Sequence, residues 1–168
     1  MFTRLLLLAL LISGVATADA QSITEIAASD ETIHMSREEP AMRDAFARAA
    51  QTLPEFLSLA AKPKPGTSTF ALKVAISDGK NTEYFWVNDF TNRGDAFSGT
   101  LNNEPRLVKR HKLGDRIAFQ RAQIADWTYI DEAGKRTIGN FTACALLSKQ
   151  PPEQAAAFMR QYGMSCEQ

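Results

Sequence analysis

The chain has 168 residues, of which 45% are apolar, and its 19 basic side chains balance its 19 acidic ones. A nucleic-acid-binding protein is expected to carry a clear basic excess, so this balance excludes a general nucleic-acid binder. A membrane span needs about 20 apolar residues in a row. The sequence contains no such run, so we do not expect an integral membrane protein.

The N-terminus has the pattern of a secretory signal peptide. Arg4 precedes the unbroken apolar run 5–12, and small residues then lead to Ala18-Asp19-Ala20, which fits the small-x-small pattern of a cleavage site. The sequence therefore predicts a signal peptide over 1–20, with cleavage after Ala20 and a periplasmic or secreted location. Residues 21–35 are polar and aperiodic, which is typical of a flexible N-terminal arm.

The remaining residues, 36–168, suit a single domain that begins with helical structure. Residues 36–39 fit a capping box, with Ser36 as the N-cap and Glu39 reaching back to it. Apolar residues then recur in steps of three and four over 42–60, as on one face of a helix.

A proline falls inside this helical pattern. Pro54 is expected to interrupt the helix, and Thr52 with Glu55 forms a second capping box. The pattern therefore predicts either two consecutive helices or one bent helix, ending before the Pro-rich stretch 62–66.

The pattern changes to an alternation of period two after residue 66, which indicates strands. We predict strands at about residues 70–76, 82–90, 96–101, 116–120, 123–130 and 136–147, with Asp78-Gly79 in the first hairpin turn and Gly139 as a bulge. Pro151-Pro152 opens a closing helix through Tyr162, and Gly163 follows as its C′ residue. The fold class is α+β: an N-terminal helix or helix pair packed on a curved antiparallel sheet of about six strands, with a C-terminal helix.

Cys144 and Cys166 are the only cysteines. An even number of cysteines in an exported chain favours a structural disulfide, which would stabilise the fold by about 3 kcal/mol. Cys144 falls in an apolar run suited to a buried strand. Two free thiols and a catalytic thiol remain as alternatives, although the Cys-x-x-Cys spacing of redox motifs is missing.

The neutral total conceals an uneven distribution of charge. Residues 21–61 carry seven acids and three bases, whereas residues 93–121 carry seven bases and three acids. The basic segment 106–116 is either a solvated face or a surface that docks on an anionic partner. We therefore expect weak contact with anionic components of the cell envelope.

The sequence lacks most motifs of catalysis and cofactor binding. It has no Gly-rich phosphate loop, no His-Glu-x-x-His and no Gly-x-Ser-x-Gly. His34 and His111 are the only histidines, which excludes a His-rich metal site, and the positive neighbours of His111 make it a poor base. We predict no metal and no cofactor.

Three short polar and aromatic clusters supply the candidate binding residues. An aromatic strand carries Glu83 and Trp86, a Gly-containing strand and the loop after it carry several side-chain donors, and a third strand carries an acid beside a tryptophan. The candidate binding residues are Glu83, Trp86, Asn102, Asn103, Arg106, Asp126 and Trp127. For each tryptophan, packing in the hydrophobic core is the alternative to a role in binding.

Taken together, these segments resemble one bacterial family. The order LPEFL, FALKVAI, a glutamate three before a tryptophan, FSGTLNNEPRLV, KLGDRIAF, QIADWTYID and GNFT resembles domain of unknown function 2314, also called YegJ-like. The likeness covers about residues 39–147, and neither Cys144 nor Cys166 is part of its pattern of matching residues. It implies a small bacterial α+β protein, often exported, and assigns no activity, ligand or catalytic residue.

The sequence leaves three functions open. The first is a non-catalytic module that binds a small ligand or a protein through the candidate residues. The second is a periplasmic hydrolase that uses Glu83 and Asp126 as an acid–base pair. The third is an interaction or immunity-type protein that docks through residues 106–116. The sequence favours the first and does not identify the ligand or partner.

Overall fold

The computed structural model describes residues 37–167. The predicted signal peptide and most of the predicted arm lie outside these residues. The helices are α1 (Pro40–Ala61), α2 (Phe141–Leu147) and α3 (Pro152–Tyr162). The strands are β1 (Thr67–Ser77), β2 (Thr82–Arg93), β3 (Ala96–Leu101), β4 (Arg116–Gln120), β5 (Ile124–Asp131) and β6 (Arg136–Gly139), and a 3₁₀ turn (Arg121–Gln123) joins β4 to β5. The predicted α+β class is confirmed.

The six strands form one open antiparallel sheet in the order β4-β3-β2-β1-β5-β6. In a flat sheet of this order β4 and β5 would lie about 19 Å apart, at roughly 4.8 Å per strand spacing. Only Arg121–Gln123 joins them, and four residue steps reach at most about 14 Å. The sheet must therefore curl until the end of β4 approaches the start of β5, as the sequence predicts.

Helix α1 begins later than the capping-box pattern predicts. Its first residue is Pro40, and Glu39 is the N-cap, with no side-chain cap hydrogen bond. The predicted role of Glu39 at the third helical position is therefore wrong, and Ser36 lies outside the described residues. Proline favours the first helical position because its φ is already helical and it has no N–H to satisfy.

Pro54 does not divide the first helix, which runs unbroken to Ala61. The second capping box does not form, because the Thr52 hydroxyl donates back to the Arg48 carbonyl at 2.7 Å. The carbonyl that loses its partner to Pro54 belongs to Ala50, which is exposed and can be hydrated. The two-helix alternative is therefore wrong.

An aromatic cluster joins α1 to the sheet. Phe56 is 2% exposed and its ring centroid lies 4.9 Å from that of Trp127 and 5.9 Å from those of Phe70 and Phe90. Aromatic pairs at such distances stabilise by more than their buried area. This cluster fixes α1 against the centre of the sheet and along β5.

The final predicted strand, 136–147, is wrong beyond its first four residues. Strand β6 ends at Gly139, where φ is +82°, and φ is +57° at Asn140. Two successive left-handed residues turn the chain away from the sheet, and α2 follows from Phe141. Gly139 therefore ends the strand and is not the predicted bulge.

The first turn of α2 has a capping group that local sequence does not reveal. The Asp126 carboxylate of β5 accepts a hydrogen bond from the Thr142 N–H at 2.7 Å. This satisfies an amide that a helix leaves unpaired at its start. Cys144 consequently lies on a helix, and its placement on a strand is wrong.

The C-terminal region agrees with the remaining expectations. Helix α3 ends at Tyr162, and Gly163 follows it with a φ of +60°. Cys144 and Cys166 form the predicted disulfide, with their Cα atoms 5.5 Å apart. This bond ties the C-terminal end of the chain to α2.

Candidate functional site

A groove of about 800 Å³ lies between α1, β5, β6 and α2. Its inner wall is aromatic, with contributions from Phe56, Trp127 and the half-buried Tyr129. Ligand sites of small molecules commonly have volumes of about 300–1,000 Å³ and mostly apolar linings. The groove has the size and the character of such a site.

Three cations stand at the rim of this groove. Arg48, Lys62 and Lys64 line it, all three are exposed, and Glu55 is the acidic residue among its lining. The Arg48 guanidinium lies 5.0 Å from the centroid of the Phe141 ring, which holds its charge beside the groove. The rim therefore carries an excess of positive charge above an aromatic wall.

Trp127, one of the predicted binding residues, is a buried part of that wall. It is 6% exposed, and its Nε1–H donates to the Ala49 carbonyl and to the Thr52 hydroxyl, both at 3.2 Å. These bonds attach β5 to one backbone carbonyl and one side-chain hydroxyl of α1. The indole thus shapes the groove and holds its two sides together.

Asp126 belongs to a buried polar cluster beside Trp127. Its carboxylate is fully buried and accepts hydrogen bonds from the Trp127 N–H at 2.8 Å, the Thr142 N–H at 2.7 Å and the Thr142 hydroxyl at 2.7 Å. The Lys73 ammonium donates to the same hydroxyl at 2.9 Å and lies 5.2 Å from the centroid of the Trp86 ring. Thr142 therefore connects the two charged groups.

In this cluster, the charge of each group opposes the effect that burial has on the pKa of the other group. Burial raises the pKa of Asp126, and the Lys73 charge and the bonds from Thr142 and Trp127 lower it. Burial lowers the pKa of Lys73, and the Asp126 charge raises it. Because it accepts three hydrogen bonds from α2 and β5, the Asp126 carboxylate acts as a structural cap.

Glu83 has a different task, which is to hold the connection between β3 and β4. Its carboxylate accepts three backbone hydrogen bonds, from the N–H groups of Arg106 at 2.8 Å, Leu107 at 2.9 Å and Val108 at 3.0 Å. Glu83 is 7% exposed and Val108 is fully buried. A carboxylate that accepts several backbone amides fixes the local chain conformation strongly.

Replacing Glu83 with glutamine should lower the free energy of unfolding by about 2–3 kcal/mol, because one carbonyl oxygen replaces two charged acceptors for three amides. The measurement is urea unfolding, together with hydrogen exchange at the Arg106, Leu107 and Val108 amides. Glu104→Gln, an exposed change nearby, should stay within about 0.5 kcal/mol. Equal stability of both variants would show that the loop does not depend on the Glu83 carboxylate.

The remaining predicted residues lie around the same connection. Asn103 accepts the Trp86 N–H on its Oδ1 at 2.8 Å, and the Asn102 N–H donates to the Trp86 carbonyl at 2.9 Å. Asn102 is exposed, whereas Trp86 and Arg106 are half-buried. These contacts continue the pairing of β2 with the chain beyond β3.

The seven predicted residues therefore divide among three places. Glu83, Asn102, Asn103 and Arg106 lie at the β3–β4 connection, Asp126 in the buried cluster, and Trp127 at the groove, while Trp86 contacts both of the first two. Glu83 pairs with Ile76 and Asp126 with Lys73. Ile76 and Lys73 are three residues apart on β1, so the two carboxylates point to opposite faces of the sheet.

Sequence reasoning missed several residues of these sites. A lysine inside the apolar segment FALKVAI is unusual for a buried strand and could have indicated a charged partner for Lys73. Thr142 gives no such signal, because the sequence around it has the pattern of a strand. Lys62 and Lys64 belong to the Pro-rich stretch 62–66, and only the docking of α1 on β5 brings them to a groove.

Metal-ligand clusters and membrane-spanning helices are both missing from the described residues. No group of three or more His, Cys, Asp or Glu side chains within residues 37–167 could hold a metal ion. Within the same residues, no helix is long and apolar enough to cross a bilayer. The Cys144–Cys166 disulfide is compatible with an extracytoplasmic protein.

Comparison with known proteins identifies the family. The model of the family described as "Uncharacterized protein conserved in bacteria (DUF2314)" matches residues 39–166. The chain belongs to this family. It is also 31% identical to "Uncharacterized protein YegJ" of Escherichia coli (strain K12) over 127 residues, which cover 76% of this chain and 80% of the relative. No solved structure gives a significant match.

The family match confirms the resemblance and extends it to the C-terminal region. It includes β6, α2 and α3, and it ends at Cys166. Both printed descriptions call the proteins uncharacterized, so the comparisons supply no activity. Function must be argued from the groove, the buried cluster and the loop.

Proposed function

We propose that this chain is a non-catalytic binding module of the bacterial envelope whose ligand is a small anion with an aromatic or apolar part. The groove between α1 and β5 carries the proposal. Its aromatic wall offers Tyr129 as a face for stacking, and Lys62 and Lys64 stand exposed at its rim. An apolar wall with a few charged groups around it is the usual composition of a small-molecule site.

Export of the chain is part of the proposal and has two supports. The first twenty residues have the charged start, apolar run and small-residue end of a signal peptide. The Cys144–Cys166 bond would persist in an oxidising compartment such as the periplasm. Mass measurement of the protein recovered from the periplasm tests this, since cleavage after Ala20 predicts an N-terminal Gln21.

A hydrolase that uses Glu83 and Asp126 is less well supported by the geometry. Each carboxylate is at most 7% exposed, and each accepts three hydrogen bonds from its surroundings. An acid–base pair must converge on one substrate bond, with its carboxyl groups within roughly 5–9.5 Å. Groups that point to opposite faces of a sheet do not offer that arrangement.

The proposal is tested with 1-anilinonaphthalene-8-sulfonate, an aromatic anion that fluoresces in apolar sites. Binding of one molecule per folded chain is expected. The double variant Lys62→Gln/Lys64→Gln should bind it about fivefold more weakly, because two exposed cations together contribute about 1 kcal/mol. Titration is followed by fluorescence, with circular dichroism to confirm that both proteins are folded.

Two comparisons make this titration specific to the groove. Lys80→Gln/Lys135→Gln removes the same charge from exposed positions that do not line the groove and should leave the affinity unchanged. N-Phenyl-1-naphthylamine, which has no charge, should lose no affinity in Lys62→Gln/Lys64→Gln. Equal weakening by the two lysine pairs would contradict the proposed site.

A further inference from the structure

The connection from β3 to β4, residues 102–115, is the most unusual surface of the described chain and is called the basic loop below. It carries four basic and two acidic residues, and Arg116 adjoins it. It also holds two of the three large apolar side chains that are exposed within residues 37–167, Leu107 at 43% and Leu113 at 49%. Cations and exposed leucines therefore occur together on one loop.

The exposure of these leucines is built into the fold. Glu83 binds the N–H groups of Arg106, Leu107 and Val108, and the buried Val108 fixes the middle of the loop. At the far end, the Gly114 N–H donates to the Leu101 carbonyl at 2.9 Å. A loop fastened at its start, middle and end presents its side chains without a further cost of ordering on binding.

The cations of the loop keep their charge available for a partner. Lys109 donates to the Pro105 carbonyl at 3.1 Å, and Arg110 donates from its Nε to the His111 Nε2 at 3.1 Å, so neither of these bonds is made to an acid. Lys112 is exposed, and no described acid forms an ion pair with Lys109, Arg110 or Lys112. Within the described residues, the charges of Lys109, Arg110 and Lys112 are therefore not neutralised by an ion pair.

We propose that the basic loop docks the protein on the surface of an anionic phospholipid bilayer. Each lysine or arginine near such a surface contributes a favourable electrostatic free energy of binding. This attraction decays within a Debye length of the surface. Leu107 and Leu113 would enter the interfacial layer, as the apolar residues of membrane-surface segments do. The whole chain has no net charge, so attraction acts through this loop and orients the molecule.

Other partners fit these residues less well. Single-stranded nucleic acid is bound by aromatic side chains that stack on bases, and the loop contains no Phe, Tyr or Trp. A stable protein partner usually covers about 800 Å² on each side and matches the shape of that surface. A bilayer needs no matching shape, so a few cations and two leucines are sufficient for weak and reversible docking.

The proposal is tested by sedimentation with vesicles. The full chain is used, with the N-terminus that is found on the protein recovered from the cell. The wild type should bind vesicles of phosphatidylglycerol at low salt, should bind phosphatidylcholine vesicles at least about tenfold more weakly, and should dissociate at 0.5 M salt. Lys109→Gln/Lys112→Gln should weaken the binding about tenfold, and Leu107→Ala/Leu113→Ala about fivefold. These side chains are exposed, so both variants should remain folded.

Controls separate this docking from other attractions. Lys80→Gln/Lys135→Gln, which removes the same charge elsewhere on the surface, should bind like the wild type. None of the residues of the loop lines the groove, so the loop variants should still bind the anilinonaphthalene probe. The proposal is overturned if the wild type binds both lipids equally, or if the two lysine pairs lose the same affinity for vesicles. It is also overturned if a DNA duplex binds as tightly as the vesicles do and the leucine changes do not weaken that DNA binding.

Discussion

Replacing Asp126 with asparagine should lower the free energy of unfolding by about 3–5 kcal/mol, one of the two largest effects expected for this protein. The carboxylate accepts three hydrogen bonds and compensates the charge of Lys73, which donates to the Thr142 hydroxyl. The asparagine amide has one acceptor atom, and it leaves the half-buried Lys73 ammonium without a counter-charge. Urea unfolding at pH 7 measures the loss.

The pH dependence of this loss has a defined sign. Burial lowers the pKa of Lys73, and the Asp126 charge opposes that effect. In Asp126→Asn the pKa of Lys73 should fall further, so the folded variant releases this proton more easily than the unfolded chain. The stability of the variant should therefore rise relative to the wild type as the pH increases from 7 towards 10.

Two further variants show whether the cluster is the cause. Asp44→Asn, at an exposed position of α1, should change the stability by less than about 0.5 kcal/mol. Adding Lys73→Met to Asp126→Asn removes the uncompensated charge and should recover part of the loss. If the double variant is less stable than Asp126→Asn, the coupling between these two charges is not the source of the effect.

Replacing Gly139 with alanine should cost about 4 kcal/mol or more. The φ of +82° alone costs an L-residue about 1–2 kcal/mol. A Cβ atom at this position would also lie 2.3 Å from the Trp127 carbonyl oxygen and 2.6 Å from its indole ring. Neither can retreat easily, because Trp127 is bonded to α1 through its Nε1–H.

Gly79→Ala is a matched control for this substitution. Its φ of +94° is similarly positive, and nothing lies within 4 Å of the Cβ position. It should cost only the conformational part, about 1–2 kcal/mol. Thermal and urea unfolding of the two variants should differ by several kcal/mol. Equal costs would mean that the contact between β6 and Trp127 contributes nothing.

Much of the sheet could be predicted from local pattern. Strands β3 and β4 fall at the predicted residues 96–101 and 116–120, because each alternates apolar and polar side chains between clear turn signals. The segment of α2 is a short apolar run, FTACALL, whose periodicity does not distinguish helix from strand. Asp126, fifteen residues before Phe141, decides its conformation by capping the first turn.

The candidate sites were less accessible to sequence reasoning. Glu83 and Asp126 stand out because acids are rare between aromatic and apolar strand residues. The sequence does not reveal which groups donate hydrogen bonds to their carboxylates. The groove depends on the position of α1 against β5, which is set by the packing of Phe56 on Trp127. Such long-range placement is invisible to local periodicity.

The pairing of β1 with β5 has a consequence for the order of folding. The hairpins between β1 and β4 join neighbouring segments, whereas Thr67 of β1 lies opposite Asp131 of β5. Contacts between distant segments form slowly, because a long stretch of chain must first be closed into a loop. One edge of β1 therefore stays open until the chain through β5 is available. During synthesis, the growing chain would remain vulnerable to intermolecular strand pairing at that edge until its last third is made.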